Sequence, residues 1–160
     1  MRKLNIAIIG LGNIGCYLFK YLNDNKKILI KKNNCLPVIK YVSAKNKKKK
    51  RNIKIKKGQW LKNYLSATKL KDVDLIIELI GGAEGPAKKL VFEALKNKKH
   101  VVTANKALIA KYGDQLSTIA EKNKVNLEFE ASVCGGVPII RALKEGLIAN
   151  KISKIYGIFN

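Results

Sequence analysis

At 160 residues, 47% of them apolar, the chain is long enough for one domain with a full core. No apolar run reaches the ~20 residues that cross a bilayer. The apolar stretch near the N-terminus empties into glycines, unlike a signal peptide. The formal charge of +22 points first to nucleic acid or an anionic surface. Yet every basic residue except Arg2, Arg51 and Arg141 is a lysine, and isoleucine and asparagine are also heavily used. The aromatics do not interleave with the basic run as a single-strand stacking platform requires. The charge therefore reads as compositional drift over solvated faces, with a basic nucleic-acid-binding domain as the alternative from another class. Cys16, Cys35 and Cys134 form no CxxC pair and His100 has no second histidine. They suit the reduced thiols of a cytoplasmic protein, not a disulfide or zinc framework.

Taken in chain order, Leu4 to Ile9 is a buried strand that runs into Gly10-x-Gly12-x-x-Gly15. Cys16 to Leu22 carries apolar residues at helical spacing, Asn23-Asp24-Asn25 ends that helix, and Lys26 to Lys32 allows a further turn. After Pro37 comes the second strand, Val38 to Val42, and then a basic loop, Lys45 to Lys57. Gln59 to Ala67 reads as a short helix with Trp60, Leu61, Tyr64 and Leu65 on one face. Val73 to Ile80 is a strand ending at Gly81-Gly82, and Pro86 opens a helix running to Lys96. Val101 to Thr103 is a strand, Leu108 to Asn123 a helix, and Val125 to Glu130 another strand. Strand–helix alternation with short connections predicts a parallel sheet with helices on both faces. Beyond Gly135-Gly136 and Pro138 a helix is expected over Ile139 to Ala149, and a strand over Ile152 to Phe159. A strand stopping at Asn160 would leave an unpaired edge, so the expectation is of an interrupted chain.

Strand, glycine turn and helix in that order open a dinucleotide-binding βαβ unit. Gly10 permits the tight turn, Gly12 lets a pyrophosphate approach the backbone, and Gly15 lets the helix pack closely. The free amides and dipole at the helix start attract the phosphates. NAD-preferring units place a carboxylate about 20 residues past the glycines to hold the ribose hydroxyls. Here no Asp or Glu occurs from Lys31 to Lys57, and Lys45 with the Lys47–Arg51 cluster stands there instead. Such cations suit a 2′-phosphate. This favours NADP(H), with NAD(H) as the alternative.

Three further segments fall at the predicted carboxyl edge of the sheet: Glu78-Leu-Ile-Gly-Gly82, Val101-Val-Thr-Ala-Asn-Lys-Ala-Leu-Ile109, and Glu130-Ala-Ser-Val-Cys-Gly-Gly-Val-Pro-Ile-Ile-Arg-Ala-Leu143. With Gly10-Leu-Gly-Asn-Ile-Gly15 in the same order and spacing, they make the sequence resemble the homoserine dehydrogenase family. Those enzymes interconvert L-homoserine and L-aspartate 4-semialdehyde on the route to threonine, methionine and isoleucine. The resemblance implies a Rossmann-type doubly wound α/β domain over residues 1–133. Residues 134–160 would begin a second α+β domain for substrate binding and homodimerisation. It implies dinucleotide contacts at Gly10, Leu11, Gly12, Asn13, Ile14, Gly15, Lys45, Gly81 and Lys106, with Lys106 also the catalytic lysine. It implies sodium on the Glu130 side chain and the carbonyls of Val133, Gly135 and Val137. Two departures are visible: Cys134 where the family carries a small residue, and a basic loop without the usual acid. Since the family's substrate domain follows this stretch, the chain alone is expected to be inactive. The alternative within enzymes is another Rossmann dehydrogenase of the aspartate-dehydrogenase type.

Overall fold

In the computed structural model, which describes residues 1–133 and 135–157, a parallel sheet of five strands runs in the order β2-β1-β3-β4-β5. The strands are β1 (Arg2–Ile9), β2 (Cys35–Ser43), β3 (Leu75–Glu78), β4 (His100–Thr103) and β5 (Leu127–Glu128). Four principal helices connect them: α1 (Asn13–Asp24), α2 (Lys26–Asn33), α3 (Pro86–Lys96) and α4 (Lys106–Asn123). β1 is apolar at consecutive positions because both of its faces are covered. Ile6 and Ile8 pack with Phe19 of α1, while Ala7 and Ile9 pack with Leu90 of α3 and Leu116 of α4. This is the doubly wound α/β arrangement read from the alternation of elements.

The pause between α1 and α2 falls at Asn25, whose backbone leaves the helical region and whose side chain donates to the Tyr21 carbonyl. β2 is longer than the apolar run alone indicates and contains Pro37. As the sheet's edge strand it tolerates a residue with no N–H to donate, and one extra residue, Lys40, bulges between Ile39 and Tyr41 opposite Ile6 and Ala7.

Five expected elements are corrected. The helix over Gln59 to Ala67 is instead two short 3₁₀ turns, Lys57–Gln59 and Tyr64–Thr68. Trp60 packs on the α1 face of the sheet, whereas Leu61, Tyr64 and Leu65 pack on the α3–α4 face. The segment thus straddles the sheet's edge, and Asn63 starts the second turn by accepting from the Leu65 amide. β3 shortens to Leu75–Glu78 because the Ile80 amide donates to the Glu78 side chain and not to a neighbouring strand. β5 keeps only Leu127–Glu128 because the Val125 amide closes the end of α4 on the Ala120 carbonyl. Glu130 then begins a short helix, α5 (Glu130–Val133).

The helix expected over Ile139 to Ala149 is broken into α6 (Ile139–Arg141) and a wider π-helical turn over Ala142–Gly146. It has no buried residue in either piece, and without an apolar face to bury, short helices gain little. Ile152 to Gly157 has no regular structure, since no sheet edge pairs with it among the described residues. The remainder of the expected strand, with Cys134, lies outside the described residues.

Glu84, in the loop before α3, joins α3 to α4. Its carboxylate accepts from Lys88 Nζ at 3.2 Å, from Lys111 Nζ at 2.6 Å and from the Tyr112 hydroxyl. Donation from Lys111 first, then Tyr112 and Lys88, lowers its pKa from 4.5 to about 2. A carboxyl held this low stabilises the fold fully above its ordinary range and loses that contribution as pH falls toward the folded value. The Tm difference between the wild type and Glu84→Gln should therefore stay constant above pH 4.5 and vanish as pH approaches 2. Because the pair is exposed, salt should shrink it. A difference independent of pH, measured by thermal melts across that range, would show that the carboxylate charge is irrelevant.

Candidate functional site

Pairing in four adjacent strands reaches one common level. Ser43 of β2 pairs with Ile9 of β1, Ile9 with Glu78 of β3, and Glu78 with Thr103 of β4. From this row the chain leaves the carboxyl edge of the sheet in four loops. β1 is also the point from which the chain winds in opposite directions, to β2 on one side and β3 on the other. Ligands of open α/β sheets bind at that switch point. A cleft of about 1020 Å³ opens there, walled by Gly10, Leu11 and Gly12, by Ser43 to Asn46 with Lys49 and Arg51, and by Leu79 and Ile80.

The glycines of the turn have separable tasks. Gly10 has φ +113°, and a Cβ there would stand 2.4 Å from the Leu79 carbonyl oxygen. A Cβ on Gly15 would stand 2.0 Å from the Gly10 carbonyl oxygen. Both positions are small because the protein itself fills the space. A Cβ on Gly12 would meet nothing within 4 Å beyond its own turn of chain, so its lack of a side chain serves no contact within the protein. Gly12 is also the N-cap of α1; it caps no amide with a side chain, and no acidic residue stands in the first turn. The positive end of the helix is left for an anion.

The basic loop is built and not merely solvated. Asn46 Oδ1 accepts from the amides of Lys48 and Lys49 at 3.0 and 3.1 Å. Arg51 donates through Nε to the Leu11 carbonyl at 3.1 Å, and through its other nitrogens to the carbonyls of Lys49 and Asn46 at 2.7 and 2.8 Å. Lys47 and Arg51 also face the Trp60 ring. The loop is thereby fastened to the glycine turn, with Lys45 and Lys49 on the cleft wall. The sequence places Arg51 in the cluster suited to a 2′-phosphate, whereas in the structure its guanidinium is spent on three backbone carbonyls. The available signal was that Arg51 is the one arginine in a run of lysines.

On the other side of the switch point, Glu78 is fully buried. Its Oε1 accepts from the amides of Ile80 and Gly81 at 2.6 and 3.1 Å, and its Oε2 accepts from the Thr103 hydroxyl at 2.5 Å. The Thr103 oxygen in turn accepts from the Asn105 amide at 3.0 Å. Asn105 Nδ2 donates to the Gly82 carbonyl at 2.7 Å, while its Oδ1 caps α4 on the Leu108 amide at 3.1 Å. A closed ring of hydrogen bonds therefore joins the loop after β3 to the start of α4. Lys106 is the first residue of that helix and is exposed. Gly81 and Lys106 stand at the same edge as the cleft without forming its walls. Asn13 and Ile14 are exposed in the first turn of α1, where Gly15 is buried.

Farther along, the Glu130 carboxylate accepts from the amides of Ile140 and Arg141 at 3.0 and 2.9 Å. It thereby holds the first turn of α6 against α5. Val133 ends α5, and Gly135 and Val137 lie in the turn that follows, where the Val137 carbonyl accepts from the Ile139 amide. Among the described residues no group of three His, Cys, Asp or Glu gathers as a metal site would. Nor is any helix long and apolar enough to cross a membrane.

The sequence profile described as "Homoserine dehydrogenase, NAD binding domain" matches residues 10–130, from the glycine turn to Glu130. The chain belongs to this family. The homoserine dehydrogenase of Bacillus subtilis is 40% identical over 160 residues, all of this chain and 37% of that protein. That of Neisseria gonorrhoeae is 41% identical over the same length, covering 36% of its own. A crystal structure of the Thiobacillus denitrificans homoserine dehydrogenase superposes with TM-score 0.82 at 35% identity, over 94% of this chain and 34% of that one. The chain thus spans little more than a third of the relatives it matches, and all four loops of the row lie inside the matched stretch.

In a homoserine dehydrogenase NAD-binding domain the glycines should separate by experiment. Gly15→Ala should cost on the order of 1–3 kcal/mol and several degrees of Tm. Gly12→Ala should melt as the wild type does but lose dinucleotide affinity by about tenfold or more, as read by isothermal titration calorimetry. A Gly12→Ala protein that binds normally would mean the open space serves something else.

Proposed function

We propose that this chain is the dinucleotide-binding part of a cytoplasmic homoserine dehydrogenase, interconverting L-homoserine and L-aspartate 4-semialdehyde. Residues 1–133 serve as the nucleotide domain, and residues 134–160 open the substrate and dimerisation domain of a homodimeric enzyme. The observation that carries this reading is the open space over Gly12, at the free start of α1, in a turn otherwise packed to contact. A pyrophosphate fits that cradle, with the turn's remaining members Gly10, Leu11, Asn13, Ile14 and Gly15 around it.

The adenosine end belongs with Lys45 and Lys49. Two lysines on the wall, in a loop without a carboxylate, support NADP(H) over NAD(H). The nicotinamide end belongs with Gly81 and Lys106. When bound, the nicotinamide supplies or takes the hydride that converts aldehyde to alcohol and back. The Lys106 ammonium stabilises negative charge on the substrate oxygen and passes the proton there. A monovalent cation, sodium, would be held by Glu130 and the carbonyls of Val133, Gly135 and Val137. One carboxylate with hard neutral oxygens suits such an ion, and its part is to fix the join between the two domains.

Titration of the chain with NADPH should show binding, while the 160-residue chain with L-homoserine and NADP⁺ should show no turnover. Absence of binding by NADPH and NADH alike, or turnover by this chain alone, would contradict the proposal. In the same titration Lys45→Glu should weaken NADPH by about tenfold and leave NADH within about twofold. Equal losses for both would remove the basis for the NADP(H) preference.

A further inference from the structure

We infer that Glu78 is a positioning residue for the nicotinamide end of the cleft, acting through Thr103 and Asn105 and not by touching the ligand. The inference rests on the dinucleotide reading above and adds a role for a buried carboxylate to which that reading gives none. A carboxylate at zero exposure is costly to keep charged. No Lys or Arg pairs with Glu78 among the described residues, whose ion pairs all lie elsewhere. Its two oxygens accept instead from two amides of the loop after β3 and the Thr103 hydroxyl.

Donor counting shows why a carboxylate is required. Thr103 spends an oxygen lone pair on the Asn105 amide, so its hydroxyl proton needs a separate acceptor. Glu78 Oε2 is that acceptor, while Oε1 takes the amides of Ile80 and Gly81. Glutamine has the same shape but sets an NH₂ against the Thr103 oxygen and leaves the hydroxyl proton without a partner. Such a loss in a buried site is costly, and Thr103 passes it to Asn105, which holds both the Gly82 carbonyl and the start of α4, where Lys106 stands. The adenosine end has its own fastening through Arg51 and Leu11, independent of this ring. Disturbing Glu78 should therefore loosen the edge beside Gly81 and Lys106 and spare the cleft wall on the β2 side.

The experiment compares two ligands that differ only in the nicotinamide: NADPH and 2′-phospho-ADP-ribose. The pair without the 2′-phosphate, NADH and ADP-ribose, is run in parallel. For the full chain carrying Glu78→Gln, NADPH affinity should fall by about tenfold and 2′-phospho-ADP-ribose affinity by less than about twofold. Thr103→Ser, which keeps the hydroxyl, should match the wild type for both. Equal losses for the two ligands, or no loss for either, would overturn the inference. Should Glu78→Gln fail to fold, the wild type answers by NMR. The amides of Gly81 and Asn105 should shift on saturation with NADPH and not with 2′-phospho-ADP-ribose, and an identical response to both would overturn it. A wild type that binds none of the four ligands overturns the dinucleotide reading itself, an outcome distinct from these.

Discussion

Close approach of backbone to backbone in the glycine turn is the constraint on which the rest of the molecule depends. The Gly10 carbonyl lies where a side chain on residue 15 would begin, and the Leu79 carbonyl lies where one on residue 10 would begin. Only with both positions bare can α1 start directly above the end of β1 while the loop after β3 passes beside it. That crowding brings the helix's positive end, the basic loop and the β3 loop to one cleft. The in-register row Ser43, Ile9, Glu78 and Thr103 then sets the level from which each loop departs.

The two sides of the switch point are held by different means, which suits the two ends of a dinucleotide. On the β2 side a guanidinium spans three carbonyls and ties a lysine-rich loop to the turn. The tie leaves Lys45 and Lys49 on the cleft wall to meet an anion. On the β4 side there is no exposed charge in the fastening, only a buried carboxylate and a chain of neutral donors. A phosphate end calls for accessible cations, whereas a nicotinamide end calls for fixed geometry and little water.

Much of the fold was legible because local chemistry and tertiary packing agree. The apolar run before Gly10, the Asn25 pause and Pro86 at the start of α3 each have a local cause that survives in the folded chain. The stretch from Gln59 to Ala67 was not legible. Its apolar residues have helical spacing, but they serve opposite faces of the sheet, and periodicity alone cannot report a segment that wraps an edge. Residues Ile139 to Gly146 mislead in a similar way, since their spacing promises an apolar face and the fold fully buries no residue of it. Glu78 was hidden for another reason. A carboxylate at a strand end looks like an ordinary solvent-facing residue until the partner loop and Thr103 are seen to enclose it. Arg51 was obscured by the lysines around it, because charge counting does not separate a cation that binds the protein from one that awaits a ligand.

A crystal structure of the chain with NADPH bound tests the central claim most directly. The account predicts the pyrophosphate over Gly12 at the start of α1, the adenosine beside Lys45, and the nicotinamide between Gly81 and Lys106. A dinucleotide seated away from the β1/β3 switch point, or lying across it in the reverse sense, would contradict the account.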